Sequence, residues 1–115
     1  MLPYFSGERT PIHDPHAKGV LFGLDLTHTR ADVYRALLES IAYGTRHIAE
    51  TYAETGQAPS RIEAVGGGTN NAVWAQATSD ITGLRQHIRQ KTIGASYGDA
   101  FLAALGAGDA KRGDI

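Results

Sequence analysis

Cysteine is absent from all 115 residues. Disulfides, thiolate nucleophiles and cysteine-bound zinc are thereby excluded. The absence fits a reducing compartment, and a cytoplasmic location is expected. No stretch approaches the ~20 consecutive apolar residues that a membrane-spanning helix requires. Met1-Leu2-Pro3-Tyr4-Phe5-Ser6-Gly7-Glu8 lacks a basic start followed by an apolar run, so it does not read as a signal peptide. An excess of either charge is also missing: 11 Lys and Arg oppose 12 Asp and Glu, for a formal net charge of −1. Both signs are scattered, which gives no electrostatic reason to expect nucleic acid or an anionic membrane as a partner. The chain contains neither a G-x-G-x-x-G pattern nor a Lys-Ser/Thr pair at P-loop spacing. Ser6, Ser40, Ser79 and Ser96 have no His–Asp context that would mark a nucleophile.

What is present describes one globular domain. The apolar fraction of 42% against 20% charged residues is that of a folded chain. Residues 1–28 are rich in Gly, Pro, His and Asp, with turn signals at Ser6-Gly7 and His13-Asp14-Pro15. This region reads as an ordered excursion with one short strand around Val20-Leu21-Phe22. Its length implies that it packs on something. Within it, Gly7-Glu8-Arg9-Thr10-Pro11 sets opposite charges side by side, and a local ion pair is expected to fix the loop. His13, Asp14, His16 and the nearby His28 are metal-ligand types, but their spacing matches no metal motif, so surface histidines are expected.

Residues 29–115 read as helix, strand, helix, strand, helix. Thr29 can cap the first helix, with Asp32 three residues on in the manner of a capping box. Val33, Leu37, Ile41, Gly44, Ile48 and Tyr52 then recur at spacings of four, four, three, four and four, widened by Leu38, Ala42, Thr45 and Ala49. Gly56 and Pro59 end the helix, which should run from about residue 30 to 54. Arg61-Ile62-Glu63-Ala64-Val65 reads as a strand leading straight into Gly66-Gly67-Gly68. Thr69 or Asn70 then caps a second helix with Val73, Trp74, Ala77 and Ile81 on one side, and Gly83 suits its left-handed terminus. Leu84–Arg89 is a second strand whose polar content suggests a sheet edge. A last helix spans about Ala95 to Leu105, with Asp99 near its start offsetting the dipole. The alternation gives an α/β class with a parallel tendency. Two strands are fewer than such a sheet usually has, so the pattern resembles the second half of a larger fold.

The segment with chemistry in it is Val65-Gly66-Gly67-Gly68-Thr69-Asn70-Asn71. Three glycines at a strand-to-helix junction let a ligand approach the backbone where a Cβ would block it. The following helix start presents N–H groups and a positive dipole end, suited to a phosphate or a polar ring edge. Asn71 adds an amide that both donates and accepts. A glycine turn with an asparagine cap has the same composition, and both readings stand at this level. Trp74, on the helix face with Val73 and Ile81, reads first as core.

Four blocks, in order, resemble the FGGY family of carbohydrate kinases, xylulokinases in particular. They are Leu2–Pro11 with Asp14-Pro15 and Ala17-Lys18-Gly19; Gly19–Leu24 with Asp32–Glu39; Gly66–Gln76 ending in Ser79–Gly83; and Gly98–Gly108. Together they cover nearly the whole of residues 1–115. The resemblance implies an incomplete actin-like, ribonuclease-H-like nucleotide-binding domain. It also implies ATP-dependent phosphorylation of a sugar hydroxyl with Mg²⁺, on xylulose or a related ketose. Gly66, Gly67 and Gly68 would lie against adenosine and phosphates, and Asn71 matches an asparagine that glycerol kinases place at the adenine. The family's sugar-binding domain, phosphate-binding hairpin and catalytic aspartate precede this region. The resemblance therefore implies no catalytic residue and no metal ligand in this chain, no activity for it alone, and sugar binding only with the preceding domain. A bare sheet edge would allow a homo-oligomer or pairing with a separate N-terminal half.

Overall fold

The computed structural model describes residues 1–89 and 95–114. After the N-terminal excursion come α1 (Arg30–Glu54), β1 (Arg61–Ala64), a 3₁₀ turn (Gly67–Asn70), α2 (Ala72–Thr82), β2 (Arg85–Ile88) and α3 (Ala95–Ala107). Strands β1 and β2 are parallel, pairing Arg61 with Arg85, Ile62 with Gln86, Glu63 with His87 and Ala64 with Ile88. A parallel pair needs a crossover, and α2 provides it, so β1-α2-β2 is one βαβ unit. The expected α/β class and parallel tendency are both found.

Helix α1 begins as its capping box requires. The Thr29 hydroxyl accepts from the Asp32 N–H, and the Asp32 carboxylate accepts from the Thr29 N–H at 2.8 Å. At the other end the Gln57 N–H reaches the Tyr52 carbonyl and the Gly56 N–H reaches that of Ala53, with Gly56 at φ 79°. That pattern closes a helix by satisfying its last carbonyls. Gly108 (φ 83°) closes α3 in the same way through Ala104 and Leu105, two residues later than expected. The start at Ala95 is as expected, and Asp99 falls in the second turn rather than the first, where the sequence reading places it to offset the dipole.

The core is the seam between α1 and α2. Leu38, Ala42 and Ala77 are buried there with Thr78, while Ser40, two positions from both Leu38 and Ala42, is buried on the other side of α1. The two hydroxyls are satisfied within their own helices, by the Leu37 carbonyl at 2.7 Å and the Trp74 carbonyl at 2.9 Å. The helices run parallel: Tyr34 meets Asn71 at their beginnings, and the Arg46 guanidinium reaches the Ile81 carbonyl further along. The α1 stripe divides between two neighbours. Leu38 and Ala42 face α2, while Ile41, Gly44 and Ile48 face the N-terminal residues Pro3 to Pro11 across a cleft. Tyr52 and Val73, placed on the packed faces by periodicity, are exposed instead.

Two expectations for residues 1–28 are corrected. Val20 pairs with Leu2 in a single antiparallel bridge, but no strand develops through Leu21 and Phe22, the latter 93% exposed. The bridge is a single mutual pair, the Leu2 N–H on the Val20 carbonyl at 2.8 Å and the Val20 N–H on the Leu2 carbonyl at 3.0 Å. The Glu8 carboxylate, expected to pair with Arg9, instead accepts the backbone N–H groups of Thr10, Ile12 and His13 at 2.7, 2.8 and 2.9 Å. Three convergent N–H donors hold a carboxylate better than one mobile guanidinium in water.

Candidate functional site

The site is built where β1 stops. Its last residue, Ala64, is followed by Val65 and by Gly66 at φ 89°, ψ −179°. Only glycine occupies that conformation readily. It turns the chain into the 3₁₀ segment, closed by the Thr69 N–H and hydroxyl on the Gly66 carbonyl at 3.2 and 2.7 Å. The Asn71 N–H then bonds the Gly68 carbonyl at 3.1 Å. Sequence reasoning started α2 one or two residues early. Thr69 and Asn70 belong to the 3₁₀ turn, and Asn71 is the cap, its Oδ1 accepting the Trp74 N–H at 3.1 Å.

Gly67 and Gly68 differ in their surroundings. A Cβ on Gly68 would stand 2.7 Å from Cζ3 of Trp74, so the indole lies on the loop and needs a bare backbone beneath it. A Cβ on Gly67 would meet nothing within 4 Å. The same holds of Gly66, so these two are the points at which an incoming group can reach the loop backbone unobstructed. Trp74 is half-buried against the loop rather than sunk in the seam.

A cleft of about 310 Å³ opens beside the loop, between the sheet and α2, lined by Val65, Gly68, Thr69, Trp74, Gln86 and Ile88 among others. Gln86 ties its floor together, donating to the Ala75 carbonyl and to the Ser79 hydroxyl. The opposite sheet face is charged. Glu63 lies 2.9 Å from Arg61, 3.4 Å from His87 and 3.5 Å from Arg89.

The sequence-predicted residues Gly66, Gly67, Gly68 and Asn71 therefore converge on one turn at the start of α2. Sequence reasoning missed Tyr34. Its hydroxyl accepts from Asn71 Nδ2 at 3.0 Å, across 37 positions of chain. One signal was available: Tyr34 stands one helical turn before Leu38, on the stripe that packs against α2. Titration contributes little at the loop. The shifted acids lie before it: Asp25 is lowered by the Thr27 hydroxyl and Asp32 by the Thr29 hydroxyl. Among the described residues no three His, Asp or Glu side chains gather where a metal ion could be held, and no helix is long and apolar enough to cross a membrane.

The chain is 36% identical over 106 residues to a xylulose kinase of Bacillus subtilis, and 37% identical over 111 residues to one of Escherichia coli. These alignments cover 92% and 96% of the chain but 21% and 23% of those proteins, so it spans about a fifth of their length. Solved structures agree. A xylulose kinase from Rhodospirillum rubrum superposes with a TM-score of 0.75 at 38% identity, over 96% of this chain and 22% of that one. A glycerol kinase from Plasmodium falciparum, solved with ADP, gives a TM-score of 0.76 at 28% identity with the same coverage. The α/β elements are accordingly a fragment of the actin-like ATPase fold of these sugar kinases. Residues 1–107 match the C-terminal domain of the FGGY family of carbohydrate kinases, and the chain belongs to that family.

Proposed function

We propose that this chain forms the nucleotide side of an ATP-dependent sugar kinase, with Gly66, Gly67, Gly68 and Asn71 contacting the nucleotide. The observation that carries the reading is the loop itself: an open backbone at Gly67, between a strand end and a helix start. Peptide N–H groups at such a start favour negative charge and polar ring edges. The likeness to a kinase solved with ADP supports the same assignment. In the longer enzyme the reaction is transfer of the γ-phosphoryl of ATP to a sugar hydroxyl, with xylulose or a related ketose as acceptor. The xylulose kinases among the relatives support that choice. The compartment is the cytoplasm.

Phosphoryl transfer requires nucleophile, metal and γ-phosphate to be positioned together. This chain contributes the nucleotide wall. In the longer enzyme Mg²⁺ would be carried on the phosphates of ATP and offset their charge, and no residue of this chain is proposed to hold it. No Asp or Glu in the sequence stands in the family's proton-accepting motif, so the isolated chain is not catalytic. The test combines binding and turnover. ADP titrated against the pure chain should change Trp74 emission, because the indole lies on the loop, while a coupled assay detects no sugar-dependent ADP release. Unchanged emission at millimolar ADP, or turnover by the chain alone, contradicts the proposal.

A second reading, a non-catalytic module that self-associates or pairs with a separate N-terminal half, is favoured by the two-stranded sheet, each strand of which has an unpaired edge among the described residues.

A further inference from the structure

We propose that Tyr34 is a positioning residue for Asn71, so that discrimination of the purine is set jointly by α1 and the glycine loop; this deepens the nucleotide reading and rests on it. An asparagine amide has two N–H donors and two acceptor lone pairs. One lone pair of Asn71 Oδ1 accepts the Trp74 N–H at 3.1 Å, and one Nδ2 hydrogen goes to the Tyr34 hydroxyl at 3.0 Å. The first contact fixes which end of the amide faces α2, since a flipped amide would set NH₂ against N–H. The second fixes the tilt of the amide plane. What remains is one donor and one acceptor on the same amide, the pair that complements the amino group and adjoining ring nitrogen of adenine.

The α1–α2 seam holds Tyr34 in place. Leu38 and Ala42, one and two turns further along α1, are buried with Ala77 of α2. The phenol is itself 54% exposed, at the edge of a shallow concavity lined by Thr29, Arg30 and Ala31. Packing alone would be served equally by phenylalanine. The hydroxyl is what reaches Asn71, and it binds the loop to a helix that is otherwise remote from it in sequence.

The test uses the full 115-residue chain and Tyr34→Phe, with ADP and inosine diphosphate as probes. The two nucleotides differ at the purine 6-position, amino in one and carbonyl in the other. Tyr34→Phe should weaken ADP by about three- to tenfold, the effect of one hydrogen bond, and erase most of its preference over inosine diphosphate. Circular-dichroism melting should stay within a few degrees of the wild type. In nitrogen-15 spectra of the free chain, the Asn71 side-chain amide should shift while the Trp74 backbone amide holds. An unshifted Asn71 amide, or a wild-type preference for ADP, overturns the inference. Gly67→Val separates the two levels. If it binds ADP as the wild type does, the nucleotide reading fails and takes this inference with it. If it abolishes binding while Tyr34→Phe keeps its preference, the inference alone fails.

Discussion

Gly66, Gly67 and Gly68 are neighbours with unequal tolerances. Gly66→Ala forces a side chain into a conformation costing about 1–3 kcal/mol, although its Cβ would touch nothing. Gly67→Ala should leave the melting temperature unchanged, because that position is open in both respects. Gly68→Ala must displace the Trp74 ring, which a Cβ would approach to 2.7 Å, and should therefore alter tryptophan emission. Chemical denaturation followed by fluorescence distinguishes the three. Asp32 carries a prediction in pH. Hydrogen bonds from the Thr29 hydroxyl and then the Thr29 N–H hold its pKa below the ordinary 3.8. A depressed carboxylate contributes stability that is present above 3.8 and is lost as pH falls through the lower, folded value. Melts of the wild type should thus decline in acid more steeply than those of Asp32→Asn. Equal slopes would remove the capping box as the source. Thr29 and Asp32 were legible in the sequence, since a capping box is local and has fixed spacing. The Tyr34–Asn71 bond was not, because it depends on how two helices pack.

Among the elements, α1 and α2 carry the fold. Leu38→Ala leaves a cavity in the only seam where large and small side chains are buried together among the described residues, and should cost about 2–5 kcal/mol. Total stabilities of domains are about 5–15 kcal/mol, so urea titration at 25 °C should find the unfolding midpoint of this variant lowered by a large fraction. A loss below 1 kcal/mol would mean that the seam is not the core. Helix positions were readable because period and caps repeat the same message: α1 spans the expected residues, and Gly83 occupies the left-handed terminus of α2 at φ 69°. Errors arose where one residue serves two elements. The cap of α2 is expected at Thr69 or Asn70, and the inserted 3₁₀ turn moves capping to Asn71, which the sequence also offers as a ligand group. The strand expected at Val20–Phe22 is reduced to one bridge, Val20 with Leu2, because pairing depends on a partner distant in sequence.

The whole molecule is extended, 60 × 31 × 27 Å, with a radius of gyration of 17.5 Å. A compact domain of this length would have about 13 Å. Phe22, Leu24 and Leu26 stand exposed at alternate positions, and no large side chain is fully buried among the described residues. Such a surface should associate. Light scattering is expected to show mass rising with protein concentration, and a dilute, stable monomer would count against the second reading. The sequence anticipated this incompleteness from its two strands, but not the contact that ties the glycine loop to α1, the Tyr34 hydroxyl on Asn71. That loop is the centre of the account. The most direct measurement is a nitrogen-15 spectrum of the chain titrated with ADP. Shifts concentrated on the backbone amides of Gly66 to Asn71 and on the Trp74 indole, and absent in Gly67→Val, are predicted. Shifts confined to other elements, or none at saturating ADP, would contradict it.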